Sequence, residues 1–316
     1  MPAPTGANTT CWYRRENEGF KQEPSESDND AKPWGADATL DTAEGSNEAV
    51  RVLEPASKEA AEIIKLLFSG SFTVTFTLTN PWWLQTVLGE PESDGTDPTT
   101  HTFDGDVVPT RIYQGNIAGG YSRVLYGCVV AEATIDATVP NRIEVSLSGA
   151  YAGEQPDDST PAEQPSLDFG AVRFSEATAN LGGDDLSIVQ NASVTIATNV
   201  EMVNALGTDE AVDYYQPTIE PEVSYGKVRD DTTDTLEDFY GSSDGTADTD
   251  PDPGEFVLDL DSARETNELT LTVESSLANS YGTSAAENPD ELTTEDINRL
   301  ATGVTAEAVN DVEAAP

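Results

Sequence analysis

The chain has 316 residues, of which 59 are Asp or Glu and 15 are Lys or Arg, giving a formal net charge of -44 at pH 7. Self-repulsion at this charge destabilises a compact fold unless salt screens it, and molar salt shortens the Debye length to about 3 Å, so the composition indicates a salty cytoplasm. The 37% hydrophobic content argues against disorder. The few cations exclude a basic surface that binds nucleic acid. Two cysteines are too few for a disulfide framework.

The start of the chain carries no secretion signal. Residues 1–21 lack the apolar core of a signal peptide, and no stretch approaches the roughly 20 apolar residues of a membrane helix. We therefore expect a protein without membrane contact that is kept inside a cell, or that leaves only within a particle.

Residues 1–50 form an acidic amino-terminal arm that Pro and Gly interrupt, with isolated aromatic residues such as Trp12 and Trp34. A segment this polar has too little apolar surface to fold alone. Three alternatives stay open: the arm docks on its own domain, docks on a neighbouring subunit, or is a frayed terminus.

The first predicted helix covers residues 54–68. Pro55 suits a first helical position. Apolar residues recur at helical spacing from Ala60 to Leu67, which is typical of an amphipathic helix.

A strand and a short helix follow. Residues 72–79 alternate apolar side chains with threonines, the period of a strand with one apolar and one hydroxyl face. Asn80 suits a helix N-cap and Gly89 a C-terminal stop, so a short helix is predicted between them. Two adjacent tryptophans on this helix, Trp82 and Trp83, are not expected to face one core, so one of them is expected to meet a neighbouring subunit.

The region from 110 to 149 is predicted to be β-structure. The predicted strands are 111–117, 122–139 and 142–147, with a turn at Pro140 and Asn141 before the last. Two segments rich in Pro and Asp, 152–166 and 241–254, are predicted to be acidic surface insertions.

A second strand and helix unit is predicted at 186–207. Val194 and Ile196 alternate with Thr195, and an apolar run then ends at Gly207. This order repeats that of the first unit, and we interpret it as a weak internal repeat.

The end of the chain is predicted to hold two strands, 255–260 and 269–274, and a last helix. That helix begins near Thr293 and shows apolar residues at helical spacing up to Val304.

Many short strands and few helices predict a mainly β protein, a β-sandwich or barrel with short flanking helices. The expected organisation is the arm 1–50, a β domain at 51–275 that carries both acidic insertions, and a carboxyl-terminal tail at 276–316 with a short helix. Sheet edges must be covered or paired, and a ring in which each subunit's sheet continues into the next is one way to do so.

No catalytic or cofactor site is assigned. The single His101 lies in a Thr-rich segment and is expected to be solvated. Carboxylates are so numerous that any acid and base pair would be chosen by chance. Cys11 and Cys128 are expected to be small buried or idle thiols.

One acidic run is a weak candidate for cation binding. It consists of Asp248, Asp250 and Asp252. Prolines interrupt it and a carboxylate is missing at the twelfth position, so the EF-hand pattern is broken and a solvated loop is the favoured interpretation.

The order of these elements resembles the tail tube proteins, or major tail proteins, of long-tailed viruses, the siphophage tail tube family. In that family a strand leads into a short helix ending in Leu-Gly, here 72–89. A long strand pair follows, here 126–149, and then a strand turns at Asn into a second Leu-Gly helix, here 194–207. Together with the acidity, the resemblance implies a virus of haloarchaea. The acidic arm and the acidic insertion after Phe239 depart from the family pattern.

The resemblance implies a virion structural protein without enzyme activity or cofactor. Its subunits would form stacked rings, usually hexameric, around a channel that conducts the DNA genome during ejection. It also implies assembly in the host cytoplasm and contacts with other tail proteins, such as terminator and baseplate or tip proteins. DNA is expected to pass without tight binding, because non-specific binding comes from Lys and Arg that neutralise phosphates. The candidates for subunit contacts are Trp12, Trp34, Trp82 and Trp83.

Other classes of protein fit part of the pattern. A cell-surface or secreted acidic β-sandwich binding module fits the composition, but the absence of a signal peptide counts against it. A head decoration or tail-completion protein is a second alternative within the virion. An enzyme such as a glycan-cleaving β-sandwich lacks any recognisable constellation of residues.

Overall fold

The structure is a computed structural model that describes most of the chain. The described residues are 9–16, 19–24, 31–53, 60–96, 98–116, 121–156, 172–186, 188–228, 239–240, 253–262, 268–284 and 294–310.

Strands account for most of the described residues. In chain order they are β1 (Thr9–Arg15), β2 (Lys32–Pro33), β3 (Ala36–Leu53), β4 (Ala60–Thr77), β5 (Glu92–Ser93), β6 (Thr99–Phe103), β7 (Thr110–Asn116), β8 (Tyr121–Thr138), β9 (Glu144–Tyr151), β10 (Gly153–Pro156), β11 (Val172–Leu181), β12 (Asp184–Asp185), β13 (Val189–Ala197), β14 (Glu201–Val203), β15 (Asp213–Tyr215), β16 (Glu220–Val228), β17 (Gly254–Ser262), β18 (Glu268–Ser284), β19 (Thr294–Leu300) and β20 (Gly303–Asn310). A 3-10 helix, Trp82–Leu84, runs directly into α1, Gln85–Leu88. Within the described ranges, no helix has the length and hydropathy to cross a membrane.

Eight strands form one antiparallel sheet, which we call the long sheet. Its order is β3, β4, β9, β8, β13, β16, β19 and the second half of β18. The first half of β18 pairs instead with β17 and β20 in a second sheet, whose order is β5, β6, β20, β18, β17, β11 and β12. The two sheets are therefore joined by one bent strand.

A third, smaller sheet holds the amino-terminal strands. Its order is β2, β1, β7, the first half of β8, and β10. Because β8 bends from this sheet into the long sheet, the three sheets share one backbone framework. Strands β14 and β15 pair only with each other among the described residues.

The core lies between the sheets, where each strand turns its apolar side chains inward. Val74, Ile135 and Val194 from the long sheet and Phe256 from the second sheet are almost fully buried. The ring of Phe256 stacks on that of Tyr225 at a centroid distance of 5.8 Å. β-Branched and aromatic residues at every second position pack well on a pleated surface, which is why these segments form strands. The predicted mainly β sandwich is confirmed.

Most predicted strands and the first short helix are confirmed. The strands at 72–79, 111–117, 122–139, 142–147, 194–196, 255–260 and 269–274 correspond to β4, β7, β8, β9, β13, β17 and β18. The Oδ1 atom of Asn80 accepts a hydrogen bond from the Trp82 amide at 3.1 Å, but the N-cap of the 3-10 helix is Pro81, one residue after the predicted cap. Gly89 ends the helix with φ of 78°, where a Cβ would lie 2.9 Å from the Asp106 carbonyl oxygen.

Three predicted helices are wrong. Residues 60–68 lie in β4, which pairs with β3, while 54–59 fall outside the described residues. The segment after β13 is the short strand β14, and the last predicted helix is replaced by β19 and β20. In β19 burial alternates residue by residue. Short apolar runs fit both the helical period and the strand period. The cross-strand partners decided in favour of strands.

The described part of the amino-terminal arm docks on its own domain, which was one of the open alternatives. Strand β1 pairs along its length with β7, and β3 pairs with β4. The expected domain boundaries stay predictions, and β3 and β18 run across them. The first expected acidic insertion begins in the paired strand β10, while its remaining residues, 157–166, lie outside the described residues, as do 241–252 of the second.

Candidate functional site

The outer face of the long sheet carries a row of small polar residues. Directly paired residues on six neighbouring strands make up the polar part of its central row: Thr39, Thr75, Ser146, Thr134, Thr195 and Glu222. Beyond Glu222 the row continues into the exposed Leu300 and Leu277. All are half-buried or exposed. Side chains alternate across a strand, so their neighbours along each strand point into the core.

Two further rows flank the central row. One contains Thr73, Ser148 and Glu132, and the other Thr77, Glu144, Asp136, Ser193, Ser224, Asn298 and Ser280. We call the named polar residues of these three rows the polar face. It consists of hydroxyls, carboxylates and one amide, and none of its members is Lys or Arg.

Cross-strand hydrogen bonds hold several hydroxyls of the polar face. Thr39 and Thr75 are 3.1 Å apart at their Oγ1 atoms, and both donate to the carboxylate of Asp41, at 2.7 and 2.6 Å. The hydroxyls of Thr134 and Thr195 are 3.2 Å apart. Such pairs stabilise the sheet and orient the side chains. The polar face is therefore a surface of neutral hydroxyls with carboxylates between them, and hydrogen bonds orient several of the hydroxyls.

The long sheet has two edges that are unpaired among the described residues. Strand β3 pairs only with β4, and residues 277–284 of β18 pair only with β19. An unpaired edge presents a row of backbone donors and acceptors that another chain can pair with. The polar face thus lies between two edges available for continuation of the sheet.

The four tryptophans proposed for subunit contacts are all buried within the chain, between 0% and 6% exposed. Trp12 stacks on Tyr113 at 3.9 Å, and Trp34 stacks on Tyr13 at 4.1 Å between ring centroids. No subunit contact is present in a single chain, so the interface role of these residues stays a prediction.

The expectation that Trp82 and Trp83 cannot both face one core is wrong. The ring of Trp83 meets Phe76 edge-on at 5.8 Å, and that of Trp82 meets His101 at 5.0 Å. Residues of a 3-10 turn point about a third of a turn apart. Because core lies on both sides of this helix, two adjacent indoles can be buried in different directions.

Replacing Trp83 with alanine is expected to lower the free energy of unfolding by about 3–5 kcal/mol, because a fully buried indole leaves a large cavity. Chemical denaturation in molar salt measures this loss. The matched control is Tyr215→Ala, an aromatic residue that is 61% exposed, which should cost much less. Equal losses would contradict a core role for Trp83.

A buried ion pair between Glu16 and Arg111, which no sequence pattern indicated, holds the end of β1 against the rest of the domain. The carboxylate of Glu16 accepts hydrogen bonds from Arg111 Nε at 3.1 Å, the Gly127 amide at 3.1 Å and the Lys21 amide at 2.6 Å. Its side chain is 0% exposed and that of Arg111 is 8% exposed. Burial raises the pKa of Glu16, and the hydrogen bonds and the Arg111 charge oppose this shift.

The remaining candidate residues carry no chemistry. His101 is fully buried in β6 and its Nδ1 lies 2.7 Å from the Ser93 hydroxyl, so the prediction of a solvated histidine is wrong. Both cysteines are free and buried, as predicted. Burial raises the pKa of Cys11 to about 12, so this thiol stays protonated and idle.

The cation candidates Asp248, Asp250 and Asp252 lie outside the described residues. Across the described ranges, no group of three or more His, Cys, Asp or Glu side chains is arranged to hold a metal ion.

The sequence pattern indicated the outward polar residues of β4, of β9 and, at Thr195, of β13, but not that they form one face. The same alternation of apolar and small polar residues is visible in β8, and it could have indicated the outward residues of that strand as well. Which strands lie side by side, and hence that the rows join, depends on pairing between residues far apart in the chain.

A family model described as phage tail tube protein matches residues 6–298, nearly the whole chain. No curated protein matches the chain.

Proposed function

The chain belongs to the phage tail tube protein family, and from this premise we propose that its polar face lines the channel through which the genome passes. As a member it is a structural component of the virion tail without enzyme activity, and its copies form rings that make a tube. A match over residues 6–298 leaves no support for a cell-surface module or a head decoration protein.

The observation that carries the proposal is a face of hydroxyls and carboxylates with no cation among its members. The exposed Arg142, two residues before Glu144, is paired with Asp37 at 2.9 Å. Non-specific DNA binding comes from Lys and Arg that neutralise phosphates and release counterions. The polar face offers no such group, and carboxylates such as Glu132 and Glu144 repel phosphates. Double-stranded DNA would therefore slide along this surface without tight binding.

The two unpaired edges support closure of the ring. We propose that β3 of one subunit pairs with residues 277–284 of β18 in the next, so that the long sheets join into one cylinder. Repeated around the ring, this heterologous contact closes on itself and leaves no free edge. We propose six subunits per ring, the number usual in the family that the sequence resembles.

The finer biological setting is also a proposal. The net charge of -44 supports a haloarchaeal host, because a protein this acidic is suited to molar salt. We propose that the tube assembles in the host cytoplasm and that its ends contact terminator and baseplate or tip proteins.

Introducing cations on the polar face is expected to slow genome ejection. In virions that carry Glu132→Lys with Glu144→Lys, every ring presents new ammonium groups to the passing phosphates, and ejection should be at least about tenfold slower at moderate salt. Fluorescent dye binding to released DNA measures the rate.

The matched control places the same charge change on the second sheet, with Glu255→Lys and Glu307→Lys, both at exposed positions. These virions should eject at the normal rate. Normal ejection by the Glu132 and Glu144 variant, in tails of normal appearance by negative-stain microscopy, would show that the polar face does not line the channel.

A further inference from the structure

One end of the long sheet carries an exposed apolar loop between β14 and β15. Leu206 at its tip is fully exposed, and Val203, Val212 and Tyr215 beside it are between 40% and 61% exposed. We call residues 203–212 the apolar loop. Large apolar side chains clustered in and beside one short loop present an apolar patch, and such patches mark contact sites.

The apolar loop stands on a firm base. The Asp209 carbonyl accepts a hydrogen bond from the Phe68 amide at 2.7 Å. The Glu210 carboxylate accepts one from Lys21 Nζ at 2.8 Å and one from the Tyr126 hydroxyl at 3.0 Å. Ala211 is buried. Residues 209–211, which follow the tip that bears Leu206, are therefore held in place, and less ordering entropy is lost when the loop binds.

The opposite end of the sandwich has an apolar cavity. It lies between the long sheet and the second sheet and has a volume of about 300 Å³. Small and aliphatic side chains make up most of its lining, among them Ala137, Ala177, Ala192, Leu186, Ile188 and Leu258. Ile188 is 60% exposed. A cavity of about half this volume, lined by apolar groups, binds benzene, so this one accommodates a leucine side chain.

Strand β13 connects the two features. Its first residue, Val189, lines the cavity, and its last residue, Ala197, lies six residues before the apolar loop begins at Val203. Nine residues of strand span about 30 Å, so the loop and the cavity lie at opposite ends of the same strand. Two complementary surfaces on opposite ends of one molecule give a head-to-tail contact, which repeats without closing.

We propose that the apolar loop of each subunit inserts Leu206 into the cavity of a second copy in the adjacent ring. This rests on the proposed function, in which rings stack along the tube. The contact is mainly apolar, although Asp185 and Thr178 also line the cavity. Molar salt does not screen its apolar part, whereas ion pairs between such acidic surfaces would be weak. Lateral pairing of sheet edges builds each ring, and the loop and cavity join one ring to the next.

The test uses one charge on each side of the contact. Leu206→Lys and Ile188→Glu, each alone, place a charge in the apolar contact and should leave rings that do not stack into long tubes. The double variant brings the introduced ammonium and carboxylate groups together at every contact and should restore long tubes. Tube length is measured by negative-stain microscopy of purified protein in molar salt, and folding is checked by thermal melting.

The control is Glu307→Gln on β20, which changes the net charge by the same amount as Leu206→Lys at an exposed site elsewhere, and it should form normal tubes. Long tubes from either single variant, or singles that fail without rescue in a folded double variant, would overturn the proposal. Loss of the rings themselves would also overturn it, because the contact would then be lateral. Absence of rings and tubes from the unaltered chain would instead count against the proposed function.

Discussion

Transfer from molar salt to tens of millimolar salt is expected to lower the melting temperature of the chain by roughly 10 °C or more. The Debye length grows from about 3 Å at 1 M to about 30 Å at 0.01 M, so repulsion among the 59 carboxylates is then unscreened. A loss of several kcal/mol, at about 2–4 °C per kcal/mol for a large domain, gives the stated shift. Thermal melting followed by circular dichroism measures it.

The structure identifies one source of this repulsion. Asp136 and Glu144 are directly opposite each other on β8 and β9, and like charges so placed destabilise a sheet. Glu144→Gln should therefore melt higher than the unaltered chain at low salt and nearly the same at molar salt. Sucrose at matched osmolality is the uncharged control. It should not restore the melting temperature that the chain has in molar salt. An unchanged melting temperature across the salt range would contradict salt adaptation.

Replacing Glu16 with alanine is expected to lower the free energy of unfolding by about 3–5 kcal/mol, because it removes the buried carboxylate that pairs with the buried Arg111 guanidinium and leaves only the exposed Glu23, 3.6 Å away. The amides of Gly127 and Lys21 lose their acceptor as well. The loss should detach residues 19–24, which follow β1 in the chain. Denaturant unfolding in molar salt measures the free energy, and hydrogen exchange of residues 19–24 measures the detachment.

The matched control is an exposed ion pair of the same length. Arg123 Nη1 and Glu154 Oε2 are also 3.1 Å apart, but their side chains are 21% and 45% exposed. Glu154→Ala should cost less than about 1 kcal/mol, since solvent already screens this pair. Equal losses in the two alanine variants would show that burial of Glu16 contributes nothing.

Glu16 should also contribute to the pH dependence of the free energy of unfolding. Because burial raises its pKa in the folded state, the folded chain holds this proton more tightly than the unfolded chain. The resulting stability is present below the usual pKa of glutamate and is lost as the pH rises through the raised value. Glu16→Gln removes this component, so the difference in stability between the two proteins should change across that window. A constant difference would contradict the raised pKa.

The clearest sequence signals concerned strands with a strict period of two. Val74 and Phe76 alternate with threonines, and this pattern alone predicted both a strand and its hydroxyl face. The start of the short helix after Asn80 and its end at Gly89 were also predicted correctly to within one residue, because capping uses residues only a few positions apart. Composition alone indicated the salt dependence, since screening acts on total charge.

Tertiary pairing decided what local patterns left ambiguous. Residues 60–68 and 294–300 fit a helical period, yet they are strands because β3 and β16 offer their backbones a hydrogen-bonding partner. His101 lies in a polar segment of the sequence, yet it is buried, because the ring of Trp82 packs against its ring in β6. These outcomes depend on residues far apart in the chain.

By itself, the sequence determined that the protein is mainly β, acidic and poor in cations, and its order of elements indicated the tail tube family. Only the tertiary structure decided that the hydroxyl rows of β4, β9, β8 and β13 join into one polar face, and that Glu16 is a buried anchor. It also decided that the loop of Leu206 and the cavity beside Val189 lie at opposite ends of one strand. The physical reason is that a strand's period is local, whereas its neighbours are set by core packing and backbone pairing across the whole chain.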